Sequence, residues 1–269
     1  MNATPAPLST ALSEALARFA AQPRVLIALD FDGTLAPEVD DPNAARALPS
    51  IHQSLLRLAT LPETTVALVS GRSLQSLRQV SQMPPHVPLV GSHGLELQFD
   101  AGDIRAVVTE ADRARVAALR SRLSPLVAAA TEAWIEDKPA GFAVHTRLVD
   151  MNTASAVNHD ARAEALRFDP AFTVREGKNV IEFAVRSETK GDGIRALRTR
   201  FSPSALLFAG DDVTDEDAFA VLEPDDIGIK VGGADTRANH RIADPEAMAG
   251  MLQTLLRLRA PSHLVLGNP

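Results

Sequence analysis

The chain has 269 residues, 45% of them hydrophobic and 23% charged, with a formal net charge of −7. This is an ordinary globular composition, long enough for one large domain or two modest ones, and its acidic balance argues against a nucleic-acid binder, which carries a basic stripe. There is no cysteine, which excludes disulfides, thiolate metal sites and cysteine nucleophiles.

Leu8, Leu12, Leu16 and Phe19 recur at helical spacing and predict an amphipathic helix over 8–21. The opening carries no basic run and has Glu14 and Arg18 inside its apolar part, so it is not read as a signal peptide. No apolar run approaches the roughly 18 residues of a membrane helix. A cytoplasmic protein without membrane association is the expectation.

The run Val25-Leu-Ile-Ala-Leu29 predicts a strand buried on both faces. It ends at Asp30 and Asp32. Residues two apart in extended chain point the same way, so both carboxylates face one spot if the extension continues through Phe31. Two like charges that close need a positive partner. Oxygen donors of this kind suit Mg²⁺, which pairs one or two carboxylates with substrate phosphate. Gly33 then turns the chain and Thr34 leaves a hydroxyl nearby. A plain surface turn accounts for Asp32-Gly33 but not for an aspartate closing an apolar run. An EF-hand loop needs its glycine two positions later.

A polar loop, 36–49, leads to a helix predicted over 50–60 and a second buried strand, Thr64–Val69, with the polar tip Ser70-Gly71-Arg72. A helix with Leu74, Leu77 and Val80 on one face follows, then the apolar unit 87–90 running into Gly91-Ser-His-Gly-Leu-Glu96. Strand, polar tip and helix in repetition predict an α/β fold, a Rossmann-like parallel sheet flanked by helices. Ligands of such sheets bind beyond the carboxyl ends of the strands.

The rhythm changes near residue 100. A turn at Asp100–Asp103, a strand over 104–108 and a helix over 110–130 are followed by two strands within 133–148 joined at Lys138–Gly141. A helix over 153–166 and strands over 172–176 and 179–185 complete a half-polar, alternating block. Residues 109–187 are therefore expected to form a smaller inserted α+β domain, with 1–108 and 188–269 as the core and 1–23 as an N-terminal helical extension. The first rhythm resumes with Lys190, a helix over 191–200, a strand over 205–209 ending in Gly210-Asp211-Asp212-Val-Thr-Asp215-Glu216-Asp217, a strand over 226–231 and a helix over 245–258.

The strand tips thus carry complementary chemistry. Asp30 and Asp211 suit Mg²⁺, and Ser70 and Lys190 suit phosphate oxygens, the lysine near a helix N-terminus. A carboxylate is a known phosphoryl acceptor. Plainer roles stand beside these: a serine in this position commonly caps the next helix, and the acids after Asp211 suit a helix start. Trp134 reads first as core, and Lys138 as a solvated charge. Gly191-Asp-Gly-Ile-Arg-Ala196 matches a dinucleotide fingerprint, but it does not follow a strand directly and would leave the paired aspartates idle.

DFDGTL, SGR, a lone lysine and GDDVTDEDAF, in that order, resemble the four motifs of the haloacid dehalogenase (HAD) superfamily of phosphatases. GSHGLEL, EDKPAGFAVHTR and REGKNVIEFAV bring the chain closer to its trehalose-6-phosphate phosphatase family, over roughly residues 24–258. The resemblance implies a HAD core with an α+β cap and Mg²⁺-dependent hydrolysis of a small-molecule sugar phosphate through an aspartyl-phosphate. It implies Asp30 as nucleophile, Asp32 as acid and base, and Ser70 and Lys190 on the phosphoryl group. It implies Mg²⁺ on Asp30, the backbone carbonyl of Asp32 and Asp211, with Asp212 and Asp215 orienting ligands or Lys190. It puts Glu136, Lys138 and Glu182 on sugar hydroxyls, with Arg72, His93, Arg175 and Lys178 as further substrate-binding candidates. Thr146 departs from the pattern, which often has an aromatic residue there. Two alternatives remain: a phosphatase for another sugar phosphate such as sucrose phosphate, or a non-catalytic sugar-phosphate sensor. Oligomeric state is left open, and a monomer fits.

Overall fold

The structure, a computed structural model, describes residues 8–260 apart from 40 and 178. In chain order the elements are α1 Thr10–Ala20, β1 Val25–Leu29, α2 Pro49–Leu58, β2 Thr64–Val69, α3 Leu74–Ser81, β3 Leu89–Gly91, β4 Glu96–Gln98, β5 Ile104–Ala106 and α4 Glu110–Ala129. There follow β6 Trp134–Lys138, β7 Gly141–His145, α5 Met151–Phe168, β8 Thr173–Gly177, β9 Val180–Ala184 and α6 Lys190–Phe201. The last are β10 Ala205–Gly210, α7 Glu216–Phe219, β11 Ile227–Val231, β12 His240–Ile242 and α8 Pro245–Arg259. Helix starts follow local chemistry: Ser9, Ser73, Asp150 and Asp244 each accept a first-turn N–H. Thr109 with Asp112, and Thr189 with Asp192, form capping boxes on α4 and α6.

The chain divides into two compact units, one of residues 1–105 and 188–269, the other of Ala106–Ser187. The first is built on an eight-stranded sheet in the order β12-β11-β10-β1-β2-β3-β4-β5. From β12 to β3 all neighbours are parallel, and β4 runs antiparallel to β3. β1 is buried on both faces, as its unbroken apolar run requires. Val25, Ile27 and Leu29 pack with residues of α1, α2, α3 and α8, while Leu26 and Ala28 pack with residues of α6 and α7. This is the HAD-type α/β core.

The second unit holds a separate antiparallel sheet, order β6-β7-β9-β8. Its two faces differ in kind. Phe142, Val144, Ile181 and Phe183 are buried, as are Leu119, Leu123, Val157 and Ala161 of α4 and α5. Glu136, Ala143, Glu182 and Arg175 are register partners in one row across all four strands, so their side chains share the opposite face. No described helix is long and apolar enough to cross a membrane.

The two short strands β4 and β12 are additions to the sequence reading. Each is three residues long, too short for a period-2 pattern to declare itself.

Candidate active site

From β1 the chain steps to β2 and β3 on one side, then returns to β10 on the other side of β1. The gap beyond β1 and β10 is thus the topological switch point, where parallel sheets of this type bind ligands. Asp30 follows β1 and Asp211 follows β10, so the sheet order itself brings the two carboxylates to this point. The Asp30 N–H donates to the Ala209 carbonyl at 2.9 Å, which fixes the tip of one strand to the other.

Lys190, the first residue of α6, is 3% exposed and donates to Asp30 Oδ1 at 2.8 Å and Asp215 Oδ1 at 2.7 Å. The other oxygen of Asp215 accepts the Asp212 N–H at 2.9 Å, so Asp215 both orients the lysine and closes the turn after β10. Thr34 donates its hydroxyl to Asp211 Oδ1 at 3.1 Å. One carboxylate oxygen from each of Asp30, Asp211 and Asp215 lies within 4.8 Å of the others. Two glycines make room for this crowding. A Cβ on Gly33 would stand 2.1 Å from Asp211 Oδ2, and one on Gly210 would stand 2.2 Å from the Asp215 carboxyl carbon.

Electrostatics leave this cluster short of positive charge. Burial, with Asp215 and Asp211 adding to it against the pull of Lys190, pushes the Asp30 carboxyl well above its ordinary value. Burial and Asp215 raise Asp211 as well. Burial opposes the charge on Lys190, but the attraction of Asp30 and Asp215 outweighs it and holds the ammonium above its ordinary range. Three carboxylates against one lysine make an all-oxygen donor set that a hard divalent cation would neutralise.

Asp32 goes elsewhere. Both its oxygens accept from Arg72, at 2.5 Å from Nε and 2.7 Å from Nη2. β1 ends at Leu29, and Asp32 makes an isolated bridge with Ala36. The two aspartates are therefore held by different cations. Arg72, a substrate candidate on sequence grounds, spends both of those donors on Asp32. Ser70 is buried at the tip of β2; its hydroxyl accepts the Arg72 N–H at 3.2 Å. It does not cap the following helix, because Ser73 does. His93 sits in a left-handed turn after β3, its ring 2.6 Å from where a Cβ on Gly71 would stand. Asp212 accepts the Thr214 hydroxyl at 3.3 Å and is not one of the three converging carboxylates.

In the second unit, Lys138 donates to Glu182 Oε1, and His145 Nε2 lies 2.7 Å from Glu136 Oε2. His145 also stacks on Trp134, with ring centroids 4.7 Å apart. Glu136, Lys138, Glu182 and Arg175 thus share one polar face; Lys178 lies outside the described residues. Thr34 and His145 were not singled out for these contacts from sequence. Thr34 lies 177 residues from Asp211, and His145 is the direct partner of Trp134 on the paired strand, a register that the hairpin turn sets.

A sequence model of the trehalose-phosphatase family matches residues 28–246. Trehalose-6-phosphate phosphatase of Escherichia coli K12 is 31% identical over 217 residues, covering 80% of each chain. The bifunctional trehalose-6-phosphate synthase/phosphatase of Thermoproteus tenax is 33% identical over 241 residues; the match covers 88% of this chain but only 32% of that protein's length. Trehalose-6-phosphate phosphatase of Aspergillus fumigatus superimposes with a TM-score of 0.73 at 23% identity, over 95% of this chain and 99% of its own.

Proposed function

The chain belongs to the trehalose-phosphatase family, and on that premise we propose that it hydrolyses trehalose 6-phosphate to trehalose and phosphate with Mg²⁺ as its cofactor. The observation that carries this reading is the Asp30–Lys190–Asp215 chain with Asp211 beside it at the switch point. Asp30, Asp211 and the main-chain carbonyl of Asp32 would hold Mg²⁺. The ion would offset the surplus negative charge and polarise the phosphoryl oxygens.

The rest of the chemistry falls to the chain. An oxygen of Asp30 bonds to phosphorus as the bond from phosphorus to the sugar oxygen breaks. Asp32 gives that leaving oxygen its proton, then takes one from the water that attacks phosphorus, and phosphate leaves as the bond to Asp30 breaks. Ser70 and Lys190 bind phosphoryl oxygens, where charge stabilisation and positioning do most of the work. Arg72 acts on Asp32 by fixing its carboxylate, and Asp215 acts through Lys190. Residues 109–187 serve as the cap. Its polar row, Glu136, Lys138, Glu182 and Arg175, reads sugar hydroxyls, and Lys178 and His93 are further substrate contacts. The setting is cytoplasmic.

The test is phosphate release from trehalose 6-phosphate, sucrose 6-phosphate and a small aryl phosphate, with Mg²⁺ and with chelator. Asp30→Asn is expected to abolish turnover while leaving the fold intact, since an amide is no nucleophile, and chelator to abolish wild-type turnover reversibly. Near-native phosphate release by Asp30→Asn would falsify the aspartyl-phosphate route. Preference for sucrose 6-phosphate would move the substrate assignment.

A further inference from the structure

Lys230 lies in β11 among Ile227, Gly228, Ile229 and Val231, and it is 2% exposed. In the parallel register it stands opposite Gly210, the residue that leads the chain into Asp211. A buried ammonium is costly unless it is paired and hydrogen-bonded, and none of the chemistry above uses this one. Its Nζ donates to the Asp212 carbonyl at 3.2 Å and stands 3.5 Å from Glu216 Oε1. Glu216 is itself anchored, because its Oε2 accepts the Arg237 N–H at 2.8 Å. Lys230 therefore grips both ends of the segment 212–216. That segment directly follows Asp211 and contains Asp215.

We propose that Lys230 is a positioning residue: from the neighbouring strand it pins the acid-rich turn 211–217, and so sets how tightly Asp30, Asp211 and Asp215 hold a divalent cation. This rests on the reading of those three residues as a cation site. The acids at 211, 212, 215, 216 and 217 repel one another. A backbone carbonyl bonded to a fixed ammonium keeps that repulsion from spreading the turn.

The sign of the effect separates positioning from simple charge. A positive charge near a cation site repels the cation, so a lysine acting only through its charge would leave binding tighter when removed. A lysine that positions the ligands would leave it weaker. One that merely stabilised the fold would lower stability and leave the dissociation constant of folded protein unchanged.

Mg²⁺ binding to the metal-free protein, measured by titration calorimetry, reads this without turnover. Lys230→Met, which keeps most of the volume, is expected to raise the dissociation constant roughly tenfold, the loss of one charge-assisted hydrogen bond. Amide exchange across 211–217 should quicken in the same variant. Binding as tight as wild type, or tighter, overturns the proposal. Should Lys230→Met fail to fold, Lys230→Gln, one atom shorter and without the charge that holds Glu216, cannot span both partners and is judged by the same sign: weaker binding supports the proposal, and equal or tighter binding overturns it. Wild type and Asp211→Ala separate the two layers of the argument. If wild type takes up no Mg²⁺, the cation reading fails and the role of Lys230 falls with it. If wild type binds, Asp211→Ala does not, and the Lys230 variants match wild type, the cation site stands and the role of Lys230 alone is overturned.

Discussion

At Gly33 the backbone adopts φ +74°, and a methyl group there would meet Asp211 Oδ2 at 2.1 Å. Gly33→Ala therefore does two things at once. It costs about 1–2 kcal/mol of left-handed strain, and it displaces the carboxylate whose Oδ1 accepts from the Thr34 hydroxyl. Misplacing a reacting or ligating group by about 1 Å can cost on the order of a hundredfold in rate. We expect kcat to fall by roughly tenfold to a hundredfold on that ground, with a higher Mg²⁺ requirement and a Tm lowered by only a few degrees. Steady-state kinetics across a Mg²⁺ series would check it, and a kcat within twofold of wild type would show the close approach to be incidental.

Two elements of the second unit make predictions of different kinds. At the start of α4, Asp112 accepts the Thr109 N–H at 3.0 Å and its hydroxyl at 2.7 Å, and takes two donors of Arg186 as well. The bonds to Thr109 first, then those to Arg186, lower its pKa to about 2. A carboxyl depressed in the folded state stabilises that state above its unfolded pKa of about 3.9, and the stabilisation is lost as pH falls through the folded value. The stability gap between wild type and Asp112→Asn should therefore be full at pH 5 and shrink between about pH 4 and pH 2. Denaturant midpoints over that range would measure it, and a gap independent of pH would mean that Asp112 does not carry the charge. The four-stranded sheet supplies the second case. Lys138 and Glu182 pair at 39% and 37% side-chain exposure, a setting in which ion pairs add little stability. Glu136→Ala, Lys138→Ala and Glu182→Ala should thus melt near wild type. Each should lower kcat/KM for trehalose 6-phosphate by on the order of tenfold to a thousandfold, one to three hydrogen bonds' worth. Hydrolysis of an aryl phosphate, which offers no sugar, should change far less. Equal losses on both substrates would make these residues structural.

Across the first unit, Arg259 at the end of α8 joins segments far apart in the chain. Its guanidinium donates to the carbonyls of Ala20, Gln22, Pro23 and Glu63 and to the Thr64 hydroxyl. One side chain so ties the last helix to the end of α1 and to the approaches of β1 and β2. Arg259→Ala removes five part-buried or exposed hydrogen bonds, and a typical intramolecular hydrogen bond contributes about 0.5–1.5 kcal/mol net. We expect a loss of that order in chemical denaturation, with kcat/KM unchanged because no strand tip is touched. Arg259→Lys should recover only part of it, since an ammonium cannot span the same acceptors as a planar fork. An unchanged denaturation midpoint in Arg259→Ala would show the staple to be idle.

What the sequence by itself determined was whatever is written locally. The unbroken apolar run Val25–Leu29 demanded a strand buried on both faces. The aspartate closing it marked a strand tip, and strand–tip–helix repetition pointed to a parallel sheet, to which the structure adds the antiparallel β4. The change to half-polar alternation after residue 100 marked off a smaller α+β block without giving its strand order, and the period of two put Glu136 and Lys138 on one face. The tertiary structure decided the partnerships. Lys190 reaches Asp30 across 160 residues, and Arg72 reaches Asp32 across 40, so that aspartates two positions apart pair with different cations. In sequence Ser70 is as open to capping the next helix as to binding phosphate, and the path of the turn gives the cap to Ser73. Nothing in the run 226–231 marks the Lys230 side chain as enclosed, and the tertiary structure buries it. The physical reason is common to all of these. Backbone periodicity is set by neighbours along the chain, whereas the partner of a charge is set by which strand tips the sheet order brings together and by burial, which makes an unpaired charge too costly to leave.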